Sequence, residues 1–208
     1  MTKVKICGIT NIEDARLAVA LGADMLGFNF YEQSPRYISP REARRLIDDL
    51  PKDSENVGVF VNMEGSRIGE LVDLLGLQTV QLHGDETNDF VSRLRRKTGA
   101  KIIKAIRVGP GFEISSIAHY GADSILLDAY TKGQYGGTGE RFEWSVAADA
   151  VKLASEVILA GGLTPENVAE AVRAVRPYAV DVASGVESAP GKKNPAKLEA
   201  FIANAKQA

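Results

Sequence analysis

The stretch Met1-Thr2-Lys3-Val4-Lys5-Ile6-Cys7-Gly8-Ile9-Thr10-Asn11 decides the fold. Its apolar residues alternate and then run into glycine, which is the pattern of a β-strand ending in a turn rather than of a signal peptide. The turn Cys7-Gly8-Ile9-Thr10-Asn11 lacks the GxGxxG spacing of a dinucleotide-binding loop. After it, Ile12–Leu21 carries apolar residues at helical spacing, with Glu13, Asp14 and Arg16 off the stripe. One strand followed by one helix is the unit from which the chain is built.

The unit recurs along the sequence. Strand-like runs occur at Val4–Cys7, Met25–Phe28, Val57–Val61, Thr79–Leu82, Ile102–Ile106, Ser124–Leu127, Val157–Ala160 and Ala179–Val182. Helical periods follow at Ile12–Leu21, Pro40–Leu50, Ser66–Leu75, Thr87–Lys97, Glu113–Tyr120, Ser145–Ala154, Pro165–Val175 and Pro195–Ala205. Helix starts are signalled by the capping box Ser39-Pro40-Arg41-Glu42, by Thr164-Pro165, and by Thr10 or Asn11 before the first helix. Gly22-Ala23-Asp24 and Gly121-Ala122-Asp123 sit at equivalent turns four units apart, a weak internal repeat. Alternating strands and helices imply parallel strands with right-handed crossovers. Eight units predict an α/β fold, a single (β/α)8 TIM barrel over residues 1–208, ahead of a doubly wound open sheet.

Composition narrows the function. Lys and Arg number 25 against 27 Asp and Glu, a net charge of −2. No basic excess serves a nucleic acid, and no apolar run is long enough for a membrane span. One cysteine excludes an internal disulfide, so a cytoplasmic protein is expected. Two distant histidines and one cysteine give no metal-ligand spacing. No apolar surface face stands out, which favours a monomer, with a homodimer as the alternative.

A barrel places its chemistry at the C-terminal ends of its strands. The first strand ends at Cys7, the fourth at His83 and the sixth at Asp128, while Asp181 lies in the eighth and Arg36 in the loop after the second. Gly161-Gly162 and Ser184-Gly185 follow the seventh and eighth strands, where glycine lets backbone amides approach a phosphate; the alternative is a pair of tight turns. Cys7 is either a small buried apolar residue or a base. A thiol of ordinary pKa, about 8.5, needs a positive neighbour such as Lys5 to supply thiolate at neutral pH. Asp128 is either a loop cap or a buried acid able to donate a proton. Arg36 suits a carboxylate through its planar fork, or is a solvated surface arginine. His83 either orients a substrate or hydrogen-bonds locally. The glycine-rich loop 130–138 and the Ser34–Tyr37 loop are candidate lids.

The chain resembles the phosphoribosylanthranilate isomerase family over essentially its whole length. The residues that carry the resemblance are Lys5-Ile6-Cys7-Gly8-Ile9-Thr10, Gly27-Phe28-Asn29-Phe30, Ser34-Pro35-Arg36-Tyr37 and Val59-Phe60-Val61-Asn62. Val80-Gln81-Leu82-His83-Gly84, Asp128 with Gly136-Gly137-Thr138-Gly139, Ala160-Gly161-Gly162-Leu163 and Asp181 through Glu187 complete it. The resemblance implies an Amadori rearrangement of a phosphorylated sugar substrate in tryptophan synthesis, without cofactor or metal. It implies that Asp128 is the general acid, Cys7 the general base, and Arg36 the partner of the anthranilate carboxylate. It further implies that Gly161, Gly162, Ser184 and Gly185 hold the phosphate, and that His83 and Asp181 line the pocket. Two departures stand out. Ala183-Ser184-Gly185 replaces the family's Ser-Ser-Gly, with loss of one hydroxyl, and Phe142-Glu143-Trp144 replaces Phe-Asp-Trp, a change expected to touch a helix cap. A histidine-pathway sugar isomerase would have an aspartate in place of Cys7, and a non-catalytic phosphate-binding barrel would need neither Cys7 nor Asp128.

Overall fold

The computed structural model of the chain describes residues 1–52, 54–129 and 143–208. Eight parallel strands form one closed barrel in sequence order, and the first and last are hydrogen-bonded to each other, which excludes the open sheet. The strands are β1 (Lys3–Cys7), β2 (Met25–Asn29), β3 (Glu55–Phe60), β4 (Thr79–Leu82), β5 (Lys101–Val108), β6 (Ser124–Ala129), β7 (Val157–Leu159) and β8 (Ala179–Val182). Outside them run α1 (Ile12–Ala20), α2 (Pro40–Asp48), α3 (Gly65–Leu75), α4 (Asn88–Thr98), α5 (Trp144–Ala150), α6 (Val168–Val175) and α7 (Pro195–Gln207).

Strand side chains alternate in direction, and two cores result. Val4, Ile6, Leu26, Phe28, Val80 and Leu82 face outward, into one continuous apolar layer beneath the helices. Met25, Val57, Ile103, Ala105, Leu126, Ile158 and Ala179 fill the barrel interior. Interior positions nearer the C-terminal ends are polar instead, and these build the mouth.

Several local expectations are modified. The segment read as a helix over Glu113–Tyr120 is a 3-10 helix, Ile114–His119, whose leading Glu113 makes no side-chain cap bond. Two weakly started turns, with Ser115 and Ser116 inside them, lack the length to settle into an α-helix. The helix expected from Pro165 starts at Val168, because Asn167 accepts the Thr164 N–H and donates to the Gly162 carbonyl, folding Pro165–Asn167 into a turn. Asn11, not Thr10, caps α1 by accepting the Asp14 N–H, and Ser39 with Glu42 completes the expected capping box. Beyond β8 the chain adds an unforeseen hairpin, β9 (Glu187–Ala189) and β10 (Lys192–Lys193).

The Gly-Ala-Asp repeat performs one task twice. Asp24 accepts the Val4 N–H at 2.8 Å and returns its own N–H to the Val4 carbonyl, so it pins the start of β1. Asp123 does the same for Ile102 in β5, at 2.9 Å both ways. Lys206 pairs with the first carboxylate and Arg95 with the second. Each aspartate satisfies a strand-end amide that the barrel leaves unpaired. Asp24→Ala and Asp123→Ala are each expected to lower stability by about 1–2 kcal/mol without changing the fold. Urea unfolding followed by circular dichroism measures this; an unaltered midpoint in both would remove the role assigned to the repeat.

Candidate active site

At the C-terminal end of the barrel the inward positions converge on one open cavity of about 690 Å³. Cys7, Arg36, His83, Asp128, Gly161, Gly162, Asp181, Ser184 and Gly185 all line it. The structure therefore brings together every residue that the sequence singles out. The glycine-rich lid segment 130–138 lies outside the described residues. The Ser34–Tyr37 loop is tied down, since Ser34 Oγ receives Asn29 Nδ2 at 3.1 Å and the Arg36 N–H at 3.2 Å.

Cys7 and Lys5 are two residues apart on β1 and point the same way into the barrel. Lys5 has no exposed surface, and its Nζ donates to Asp181 Oδ1 at 2.7 Å. Lys5 and Asp181 are register partners across the seam between β1 and β8. Gly27 of β2 lies against both side chains: a Cβ there would sit 2.9 Å from Cys7 Sγ and 3.0 Å from Lys5 Nζ. The absent side chain is the space they occupy. Burial pushes the Cys7 thiol up from its ordinary pKa; Lys5 and Lys193 pull it down, and Asp181 adds to the rise. Burial outweighs the two lysines, and the thiol's pKa lies above its ordinary value.

Across the mouth, Asp128 is 5 % exposed and its Oδ1 accepts the Ala129 N–H at 2.9 Å. The carboxyl is thus buried at the mouth and held by a local backbone amide. His83 Nε2 approaches Asp128 Oδ2 to 3.3 Å, too poorly aligned for a hydrogen bond. Gln81 Nε2 lies 2.8 Å from His83 Nδ1, which fixes the ring.

Gly161 and Gly162 both have positive φ, +81° and +62°, a run that only glycine adopts without strain. A side chain on Gly161 would also press on Ala129 N and on Asp128 Oδ1, at 2.7 and 3.1 Å. After β8, Ser184–Val186 forms a 3-10 turn, whose first amides, Ser184 and Gly185, precede its first internal bond. A Cβ on Gly185 would collide with the Leu163 carbonyl, so the two loops pack backbone to backbone. Ala183 leaves these amides in place, and the lost hydroxyl does not disturb the turn. Glu143 precedes α5 with no side-chain cap bond, as expected for glutamate in place of aspartate there.

Arg36 is neither a surface arginine nor a free cation. Its Nε and Nη2 grip Glu187 at 2.9 and 2.7 Å, and both side chains are nearly buried. Among the described residues, Nη1 and the second Nη2 proton meet no hydrogen-bond acceptor. Glu187 also receives Lys193 Nζ at 3.0 Å, and Lys193 donates to the Cys7 carbonyl at 2.6 Å. Burial lowers the Lys193 pKa against the pull of Glu187. Glu187, Lys193, Gln81 and Asn167 are the residues that sequence reasoning missed as parts of the site. The Pro190-Gly191 pair, a turn signal between Glu187 and Lys193, was the one clue to the hairpin.

Comparison with known proteins gives a consistent picture. A family model described as N-(5'phosphoribosyl)anthranilate (PRA) isomerase matches residues 4–204. The N-(5'-phosphoribosyl)anthranilate isomerase of Trichlorobacter lovleyi is 52% identical over 208 residues, covering 100% of both chains. A solved phosphoribosyl anthranilate isomerase in complex with reduced 1-(o-carboxyphenylamino)-1-deoxyribulose 5-phosphate aligns with a TM-score of 0.90 at 42% identity, covering 100% of both chains. Monomers generated from the dimeric phosphoribosylanthranilate isomerase of Thermotoga maritima align with a TM-score of 0.89 at 42% identity, again covering 100% of both chains.

Glu187 carries a pH signature. Burial alone would raise its pKa, but the hydrogen bonds from Arg36 and the charge of Lys193 outweigh it and hold it low. A depressed carboxylate contributes stability above its unfolded pKa, about 4.3, and loses it as pH falls through the folded value. Glu187→Gln is therefore expected to be less stable than wild type at pH 7, on the order of 2 kcal/mol. The gap should narrow as pH falls below about 4.3. Thermal unfolding between pH 7 and pH 3 tests this, and a gap independent of pH would refute it.

Proposed function

We infer that this chain, which belongs to the N-(5'-phosphoribosyl)anthranilate isomerase family, performs that family's aldose–ketose isomerisation with Asp128 as general acid and Cys7 as general base. The observation that carries the assignment of roles is their placement. Cys7 ends β1 and Asp128 ends the sixth of eight strands, so a substrate in the cavity has one on either side. The glycine loops after β7 and β8 occupy the arc between them. Arg36, in the loop after β2, lies beyond Cys7. A phosphate at the glycine loops and a carboxylate at Arg36 would hold a phosphoribosyl aryl amine with its sugar between acid and base.

The chemistry follows from that placement. Protonated Asp128 gives its proton to the ribose ring oxygen as the C1–O bond breaks, and the nitrogen lone pair forms a C1=N bond. The Cys7 thiolate then takes the proton from C2, and the C–H electrons form a C1=C2 bond while the C1=N electrons return to nitrogen. The resulting enol gains a proton at C1 and loses one from the C2 oxygen, leaving a ketone. Atoms balance without oxidant, reductant or metal. Each proton transfer by a placed group is worth roughly 10²–10⁴ in rate. His83 borders the acid, Asp181 anchors Lys5 beside the base, and amides at Gly161, Gly162, Ser184 and Gly185 receive the phosphate.

Among the described residues no helix is long and apolar enough to cross a membrane. The large exposed apolar side chains among the described residues, Met1, Tyr37, Leu74 and Leu153, are far apart in sequence, which supports a monomer. Sedimentation at micromolar concentration would reveal a dimer instead.

Asp128→Asn and Cys7→Ala are each expected to lower kcat by roughly 10²–10⁴-fold. The assay is loss of anthranilate-type fluorescence with phosphoribosylanthranilate. Near-normal turnover by Asp128→Asn would overturn the assignment.

Because Arg36 is paired, its own test must remove both charges. Arg36→Met with Glu187→Gln is expected to raise KM by about 10- to 100-fold, the worth of a charge-assisted carboxylate contact. An unchanged KM would leave Arg36 a purely structural partner of Glu187.

A further inference from the structure

The acid–base reading needs a cation beside Cys7, and the surroundings of Lys5 single it out among the candidates. Among the described residues, Asp181 Oδ1 is the only oxygen to which its ammonium donates, although an ammonium has three donors. Burying such a charge is costly. An ion pair in a dry interior is commonly no more stable than an apolar pair of the same shape, so stability does not explain its presence. At Gly27, Lys5 Nζ and Cys7 Sγ approach the same point of β2, 3.0 and 2.9 Å from where a Cβ would stand, so ammonium and sulfur share one notch. The charged groups around Cys7 come from every side. Lys5 is on its own strand and Asp181 on β8. Lys193, on β10, has its Nζ on the Cys7 carbonyl. The Arg36–Glu187 pair lies behind Lys193, and Asp128 faces them across the mouth. Asp14 of α1 accepts the backbone N–H of Lys193 at 2.7 Å and completes the charged groups on this side.

We propose that Lys5 is the positioning residue of the base: its ammonium is the countercharge that stabilises the Cys7 thiolate, and Asp181 holds it against Sγ. Among the groups that favour the ionised sulfur, Lys5 acts most strongly, while Asp181 acts the other way on the same atom. Burial works against the Lys5 charge itself, but Asp181 and Cys7 outweigh it and keep the ammonium protonated. The two halves of one ion pair therefore have opposite effects on the thiol. A pair that merely braced the barrel would not behave in this way, because loss of either half would loosen the same seam.

The proposal rests on the reading of Cys7 as the base, but its test does not. Cys7 is the single cysteine, so alkylation of the full chain by iodoacetamide reports it alone, and the rate follows the thiolate fraction. Rates are measured from pH 6 to pH 10, with circular dichroism confirming the fold of each variant. Lys5→Met is expected to slow alkylation at pH 7 by roughly tenfold or more and to move the profile to higher pH. Asp181→Asn is expected to quicken it and move the profile to lower pH. An unchanged Lys5→Met profile, or both variants shifting the same way, overturns the proposal. Should Lys5→Met fail to fold, the double variant Lys5→Met, Asp181→Asn removes both buried charges. It must alkylate more slowly than Asp181→Asn at pH 7, and equal rates overturn the proposal. Normal turnover by Cys7→Ala would sink the base assignment while leaving the alkylation result standing, so the two failures are distinguishable.

Discussion

The Lys5–Asp181 pair lies where the barrel closes, and much of the site is arranged around it. Parallel strands can form an open sheet indefinitely; this one ends because β8 finds β1, and these two side chains face each other at that join. Breaking one half of so deeply buried a pair leaves a charge without solvent and costs several kcal/mol. The pair thus makes closure demanding as well as favourable: the strands must meet in the register that matches charge with charge. The same demand empties Gly27 of a side chain and sets Cys7 beside an ammonium. Architecture and reactivity share one contact.

A second network repeats the theme one layer out. Glu187 receives both Arg36 and Lys193, and Lys193 reaches the backbone of Cys7 and, through its own amide, Asp14 of α1. The short β9–β10 hairpin thereby ties the loop after β2, the end of β1 and the start of α1 into one body. Arg36 is held by Glu187 along one edge of its guanidinium, which fixes the orientation of the group at the rim of the cavity. Preorganisation of this kind spares a ligand the cost of ordering a long side chain.

The fold was legible because it repeats. Eight alternations of apolar period, with caps at Ser39 and glycine at the turns, leave few other arrangements, and the strand-end rule then gathers residues as distant as Cys7 and Asp128. The same logic failed at Glu113–Tyr120, where a helical pattern of minimal length closed as a 3-10 turn, and at Thr164-Pro165, where the Asn167 side chain, not the Thr164 hydroxyl, sets the helix start. Of the site, the residues with distinctive chemistry at strand ends were visible. Lys5 was visible only as a neighbour of Cys7, since its direction depends on the pleat and its partner lies 176 positions away. Glu187 and Lys193 were not visible as site residues, because a two-residue strand has no periodicity to read. What the sequence conceals is therefore long-range charge pairing rather than the frame that makes it possible.

The separation of Lys5 from Asp181 has a consequence in time. Cys7 leaves the ribosome long before Asp181, so the strand that carries the sulfur waits while six further strands are made before its neighbour β8 arrives. Until β8 docks, Lys5 remains in water, where an ammonium two residues away exerts little force on a thiol. Nascent and truncated chains thus present a cysteine with neither the burial that raises its pKa nor the ammonium that lowers it. Both opposing influences arrive together, with the closing of the ring that also shapes the cavity.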